Sequence, residues 1–191
     1  MKTAIKILLV FLVVIGVTIG CITREGGDMD NFSEDRYEAA LERFPGSEQA
    51  IDQGIESFMQ GYGDLADDNL RSRITELYAE DLYFNDTIHT YTSRAELVDY
   101  LGKTGDALDE SIVEVKQVIR DGNDVFVRWS MTFKLSAVGR KIESHSIGIS
   151  HLRFNERGQV LVHQDFWDSG HALYAQLPVV GFFIRQAHAR M

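Results

Sequence analysis

The stretch SIVEVKQVIRDGNDVFVRWSMTFKL, residues 111–135, decides the fold. Within it Val113, Val115 and Ile119 alternate with Glu114, Lys116 and Arg120, the period of two that belongs to a half-buried strand. Asp121-Gly122-Asn123 is a turn, and residues 124–135 form a second strand rich in β-branched and aromatic side chains. The pattern continues downstream. A turn near Val138-Gly139-Arg140 leads to a strand over 141–154, Glu156-Arg157-Gly158 turns again, and a last strand covers 160–168. Such a run is a meander of long antiparallel strands.

Upstream the period lengthens to that of a helix. Pro45-Gly46-Ser47 punctuates the chain, and Ser47 is placed to cap the next helix. Ile51, Ile55, Phe58, Met59 and Tyr62 recur at three- and four-residue intervals, and Gly61 and Gly63 end that helix. Leu65, Leu70, Ile74, Leu77 and Tyr78 predict a second helix, and residues 82–86 a short strand. Ser93-Arg94-Ala95-Glu96 reads as a capping box, with Leu97, Tyr100 and Leu101 on the inner face of a third helix. Helices first and a meander afterwards predict an α+β fold. Helices packed on one face of a strongly curved sheet enclose a pocket, the usual place for a small ligand. An apolar tail over 172–189, interrupted by Pro178 and Gly181, packs on the domain, on a second copy or on a membrane surface.

Composition sets the outer limits. A chain of 191 residues with 45% hydrophobic and 25% charged content holds one ordinary globular domain plus accessories. A formal net charge of −10 argues against nucleic acid as a partner and against a polybasic grip on anionic lipid. The single cysteine excludes an internal disulfide framework and a thiolate zinc cluster. No cofactor is expected.

That cysteine closes the N-terminal segment. Lys2 and Lys6 precede an apolar run over 7–19, too short for a bilayer span and of the length of a signal-peptide core. Val17-Thr18-Ile19-Gly20-Cys21 resembles the lipobox of bacterial lipoproteins, although Thr18 stands where Leu is usual. The resemblance implies lipidation of Cys21 and attachment to a bacterial membrane, with the domain outside the cytoplasm. An uncleaved anchor or a plain secretory signal is the alternative. The expected organisation is therefore a signal segment over 1–21, a polar acidic tether over 22–44 with a short helix near 37–43, and a domain over 45–191.

Three local motifs carry a further resemblance. They are LYAEDLYFND (77–86), SRAEL (93–97), and HLRF (151–154) followed by HQDFWD (163–168). In this order and spacing they resemble the nuclear transport factor 2-like superfamily, particularly its SnoaL-like bacterial members, over roughly 47–168. The resemblance implies a cone of helices on a curved sheet, and dimerisation through the open sheet face. It does not select a function, because the fold hosts isomerases, epoxide hydrolases, cyclases and non-catalytic binding modules. Asp86, after Asp81, is similar to the general base of ketosteroid isomerases, and Tyr62 stands near their oxyanion tyrosine. Asp165 and Arg128 resemble two members of the Asp-Arg-Asp set of limonene-epoxide hydrolases, whose third position is here Ser130.

Residues two apart on a strand share a face. The candidate site is accordingly Asp86, Asp165 and Arg128 as catalytic groups, with Tyr62, Phe84, Ser130, His163 and Trp167 as ligand contacts. A pairing of Asp165 with Arg128 is expected, since an unpaired buried charge is too costly to persist. His145, His151 and His163 lack a metal-binding signature, and no metal is expected. Trp129, Met131 and Phe133 read as core or interface. Three roles remain open: binding of a small apolar or amphipathic molecule, acid/base isomerisation or hydrolysis through Asp86 or Asp165, and scaffolding of an envelope complex.

Overall fold

The computed structural model describes residues 34–137, 140–176 and 180–190. The signal segment, Cys21 and the tether as far as 33 lie outside the described residues. Among the described residues three helices come first: α1 (Glu34–Arg43), α2 (Ile51–Tyr62) and α3 (Leu70–Leu77). They are followed by β1 (Tyr78–Asn85), β2 (Thr90–Ser93) and α4 (Arg94–Asp106). The meander β3 (Glu110–Asp121), β4 (Asp124–Ala137), β5 (Arg140–Phe154) and β6 (Val160–Trp167) comes next, and the chain closes with α5 (Ser169–Ala172) and α6 (Val180–His188). The six strands form one sheet in the order β2-β1-β6-β5-β4-β3, with β1 and β6 parallel and every other pair antiparallel. The fold is α+β, as the switch of period at Ser111 requires.

Each face of the sheet has its own core. On the inner face Ile51, Phe58, Leu70, Ile74, Leu77, Leu97 and Leu101 from the helices meet Phe84, Val125, Val127, Leu152, Phe154 and Val160 from the strands. On the outer face α1 lays Ala40 and, just beyond its end, Phe44 against Tyr83 and Val162. This second core corrects the expected tether: residues 34–44 belong to the folded domain. Their apolar set (Tyr37, Ala40, Leu41, Phe44) is a single narrow stripe among acidic residues. Arg153 holds the end of α1 by donating to the carbonyls of Leu41 (2.7 Å) and Phe44 (3.1 Å).

Local chemistry moved several boundaries. Ser47 does not cap α2; its hydroxyl accepts from the Gln49 amide at 3.2 Å and holds a turn before Ala50, the residue at the helix start. Ser93 does precede α4, without a side-chain capping bond. Tyr78 opens β1 where the helix was expected to continue. The four-residue β2 carries no run long enough to read as a strand and exists because it pairs with β1. A bulge between Val115 and Gln117 reverses the alternation of β3. Val113 and Val115 face inward, but Ile119 now lies opposite Phe126 on the outer face and is 52% exposed.

Candidate functional site

The inner face of β5 explains why a cavity exists. Ser144, Ser146, Gly148 and Ser150 point inward, whereas the large alternates Ile147 and Ile149 point outward and are exposed. Small side chains opposite Met131, Trp129 and Val127 leave space that the helices do not fill. The result is a cavity of about 220 Å³ lined by Phe58, Met59, Tyr62, Leu65, Phe84, Ile88, Leu101, Val113, Val115, Trp129, Met131, Phe133, Trp167 and Leu173. Its polar lining includes Asp86, Tyr100, Thr104, Ser150, His163 and Asp165.

Register brings the polar groups together. Asp165 lies opposite Ser150, and His163 lies beside Phe84 and opposite Leu152. The Trp129 indole donates to Ser150 Oγ at 2.9 Å, and Ser150 donates to Asp165 Oδ1 at 2.5 Å. His163 Nε2 meets the same Oδ1 at 2.9 Å, and its Nδ1 lies 2.5 Å from the Tyr78 hydroxyl, itself 2.6 Å from that of Tyr62. The His163 ring is 1% exposed, enclosed by Phe58, Tyr62 and Phe84 at centroid distances of 5.4, 5.4 and 5.0 Å. Burial pushes the Tyr62 and Tyr78 phenols well above their ordinary range, so both stay protonated. Among the described residues, Asp165 Oδ2 has no hydrogen-bond partner.

Asp86 sits in the loop after β1 and is more fully engaged. Its Oδ1 accepts from the amides of Ile88 (2.9 Å) and His89 (2.8 Å), and its Oδ2 from the Tyr100 hydroxyl at 2.5 Å. Burial and the Asp86 charge raise the Tyr100 pKa strongly. Trp167 donates its indole N–H to the Asp86 carbonyl at 2.7 Å, tying the end of β6 to this turn.

Arg128 and Ser130 are not in the cavity. Both lie on the outer face of β4, where Arg128 Nε donates to Gln117 (3.4 Å) and Ser130 to Glu114 (3.5 Å). The expected Arg128–Asp165 pair does not form, because Val127, Trp129, Met131 and Phe133 occupy the inward positions of that strand. Asp165 is hydrogen-bonded to His163 and Ser150 instead. Tyr62, Phe84, Asp86, His163, Asp165 and Trp167 do converge, and Trp129, Met131 and Phe133 turn out to be cavity wall. Tyr78, Tyr100 and Ser150 complete the polar network. Tyr78 was hidden at a helix–strand junction, and Ser150 announced itself only through the small–large alternation of 144–150. Among the described residues no group of three or more His, Cys, Asp or Glu is placed to hold a metal ion. No described helix is long and apolar enough to cross a membrane.

Helices folded over a six-stranded, mainly antiparallel sheet around a cavity define a protein of the nuclear transport factor 2-like class. The model of the SnoaL-like domain family matches residues 55–163, and the chain belongs to that family. A provisionally assigned SnoaL-like polyketide cyclase from Shewanella denitrificans OS-217 is similar in structure (TM-score 0.56, 13% identity, 63% of this chain and 92% of that one). So is an LEH-like epoxide hydrolase from M. tuberculosis (TM-score 0.53, 11% identity, 66% and 87%). A phenazine biosynthesis-related protein from Pseudomonas aeruginosa matches with a TM-score of 0.53 at 13% identity over 71% and 87%. At these identities the likeness is one of fold. A comparison with curated proteins gives no match.

Proposed function

We propose that the chain is an exported, membrane-tethered SnoaL-like domain that binds a small, largely apolar molecule carrying one polar group. The observation that carries this reading is an apolar cavity of about 220 Å³ with an unpartnered carboxylate oxygen of Asp165 at its polar end. The volume lies below the roughly 300–1,000 Å³ of drug-sized sites, so the ligand is small. The Asp165 oxygen selects a ligand that can donate a hydrogen bond. Export and lipidation rest on the N-terminal sequence, with Cys21 as the attachment point.

The same free oxygen favours a second reading, an acid/base isomerase or hydrolase of the kind the family contains. For that role Asp165 is better disposed than Asp86, whose oxygens are held by two amides and Tyr100. Ile147, Ile149 and Phe166, exposed together on the outer face, support association into a homodimer.

Native mass spectrometry of the detergent-extracted protein tests these readings at once, reporting ligand, lipid on Cys21 and copy number. A co-purified small molecule that is lost in Asp165→Asn is expected. An empty wild-type cavity, together with an unaltered cellular phenotype for Asp165→Asn, overturns the pocket reading.

A further inference from the structure

The donor-only indole of Trp129 sets the direction of a whole chain of hydrogen bonds. Trp129 can only give a proton to Ser150 Oγ, so the one proton of Ser150 points at Asp165 Oδ1. Oδ1 of the carboxylate is an acceptor for His163 as well, whose Nε2 donates to it. In the Nε2–H tautomer, Nδ1 is an acceptor and takes the Tyr78 proton. The Tyr78 oxygen then takes the proton of Tyr62. With its own proton given to Tyr78, the Tyr62 oxygen, at the cavity end of this run, is left as an acceptor.

We propose that Tyr62, Tyr78, His163 and Asp165 form a proton relay that deprotonates an acidic hydroxyl, a phenol or an enol, bound in the cavity. The inference rests on the pocket reading and names its ligand class. The balance is simple. The ligand O–H bond breaks and its proton joins the Tyr62 oxygen; the Tyr62 proton passes to Tyr78, and the Tyr78 proton forms an N–H bond at His163 Nδ1. The electron pair stays on the ligand oxygen, which now accepts from Tyr62. The imidazolium rests against Asp165 at 2.9 Å, so the net charge of the site is unchanged. Tyr78 is fully buried and His163 nearly so, inside a ring of aromatic side chains that keeps water from short-circuiting the transfer. The raised affinity of both phenols for their protons, caused by burial, makes them conduits and not proton stores. Tyr62 touches the ligand; Tyr78 acts through it and is a positioning residue, since it does not line the cavity.

The test uses p-nitrophenol and nitrobenzene as probes of matching shape. Wild-type protein should bind both and shift p-nitrophenol toward its long-wavelength phenolate band at a pH where the free probe is mainly neutral. Tyr78→Phe removes one buried hydroxyl, and should abolish that band while leaving nitrobenzene affinity unchanged. Because Tyr78→Phe removes a buried partner of His163, a second readout uses the wild type alone. The ¹⁵N signals of His163 should move from a neutral to an imidazolium pattern with p-nitrophenol and not with nitrobenzene. A phenolate band that survives in Tyr78→Phe shows that the proton does not pass through Tyr78 and overturns the relay, as does a probe bound neutral by the wild type. Both of those outcomes leave the pocket intact. Failure of both probes to bind sinks the pocket reading and the relay together.

Discussion

Gly148 shows how much one missing methyl group does here. It lies between Trp129 on β4 and Trp167 on β6, at the point where the inner face must admit two indoles. A Cβ at this position would come within 2.4 Å of Trp129 Cζ2, deep inside van der Waals contact. The indole would have to swing away from Ser150, releasing the donor that orients the Asp165 network. Gly148→Ala is therefore expected to destabilise the domain by about 1–3 kcal/mol in urea unfolding, as overpacking does. A wild-type midpoint in that variant would show that Trp129 has room to move. Arg128 teaches the complementary lesson. The alternation of Val125, Val127, Trp129, Met131 and Phe133 already assigns the even positions of β4 to the outer face. Likeness to an Asp-Arg-Asp set pointed the other way, and the apolar pattern prevailed because burying five hydrophobic side chains outweighs placing one arginine.

At the scale of elements, the docking of α1 depends on a buried histidine. His151, 2% exposed, lies within hydrogen-bond distance of Asp124 Oδ1 (2.6 Å) through Nε2 and of the Tyr37 hydroxyl (2.5 Å) through Nδ1, and stacks on Phe126. Arg153 donates to the same Asp124 oxygen at 2.5 Å and holds the end of α1. Burial lowers the His151 pKa, more than the neighbouring Asp124 raises it. Burial alone would raise the Asp124 carboxyl, but its bonds to Arg153 and His151 bring it below the ordinary value. The signs then follow from linkage. Across the window below the ordinary imidazole value of about 6.5 the unfolded chain binds more protons at His151 than the folded one, so stability falls as the pH drops. Asp124 stabilises above the ordinary carboxylate value and loses that contribution at still lower pH, through its depressed folded value. The thermal midpoint should accordingly decline between about pH 7 and 5, and His151→Gln should flatten that decline. An equal slope in both proteins would assign the acid sensitivity elsewhere.

At the scale of the whole molecule, net charge bears on the proposed attachment to a membrane. A chain of net charge −10 has little electrostatic attraction for anionic lipid, so the proposed membrane attachment rests on Cys21 alone. Cys21→Ser is expected to remove the diacylglycerol mass and release the protein from the membrane fraction, read by labelling and fractionation. Retention of the variant on membranes would replace the lipid anchor with an uncleaved apolar segment or with another contact. The exposed Phe182 and Phe183 of α6 are the described residues best placed to supply one.

By itself the sequence determined the order of the long elements, the change from helical to strand period and the α+β class, since these follow from local periodicity and turn chemistry, and three local motifs carried the resemblance to the family. It also placed Asp165, His163 and Trp167 on one face, because alternation along a single strand is a local property. Only the tertiary structure decided that β2 exists, that residues 34–44 fold onto the sheet, and that Ile119 lies on the outer face beyond a bulge. It alone brought Tyr78 and Ser150 to the Asp165–His163 pair and gave Tyr62, expected in the site, its hydrogen-bond partners, across separations of 101 residues between Tyr62 and His163 and 85 between Tyr78 and His163. The physical reason is pairing register. A strand's own pattern tells which residues share a face, but which faces meet, and at what offset, is settled only when the strands and helices pack.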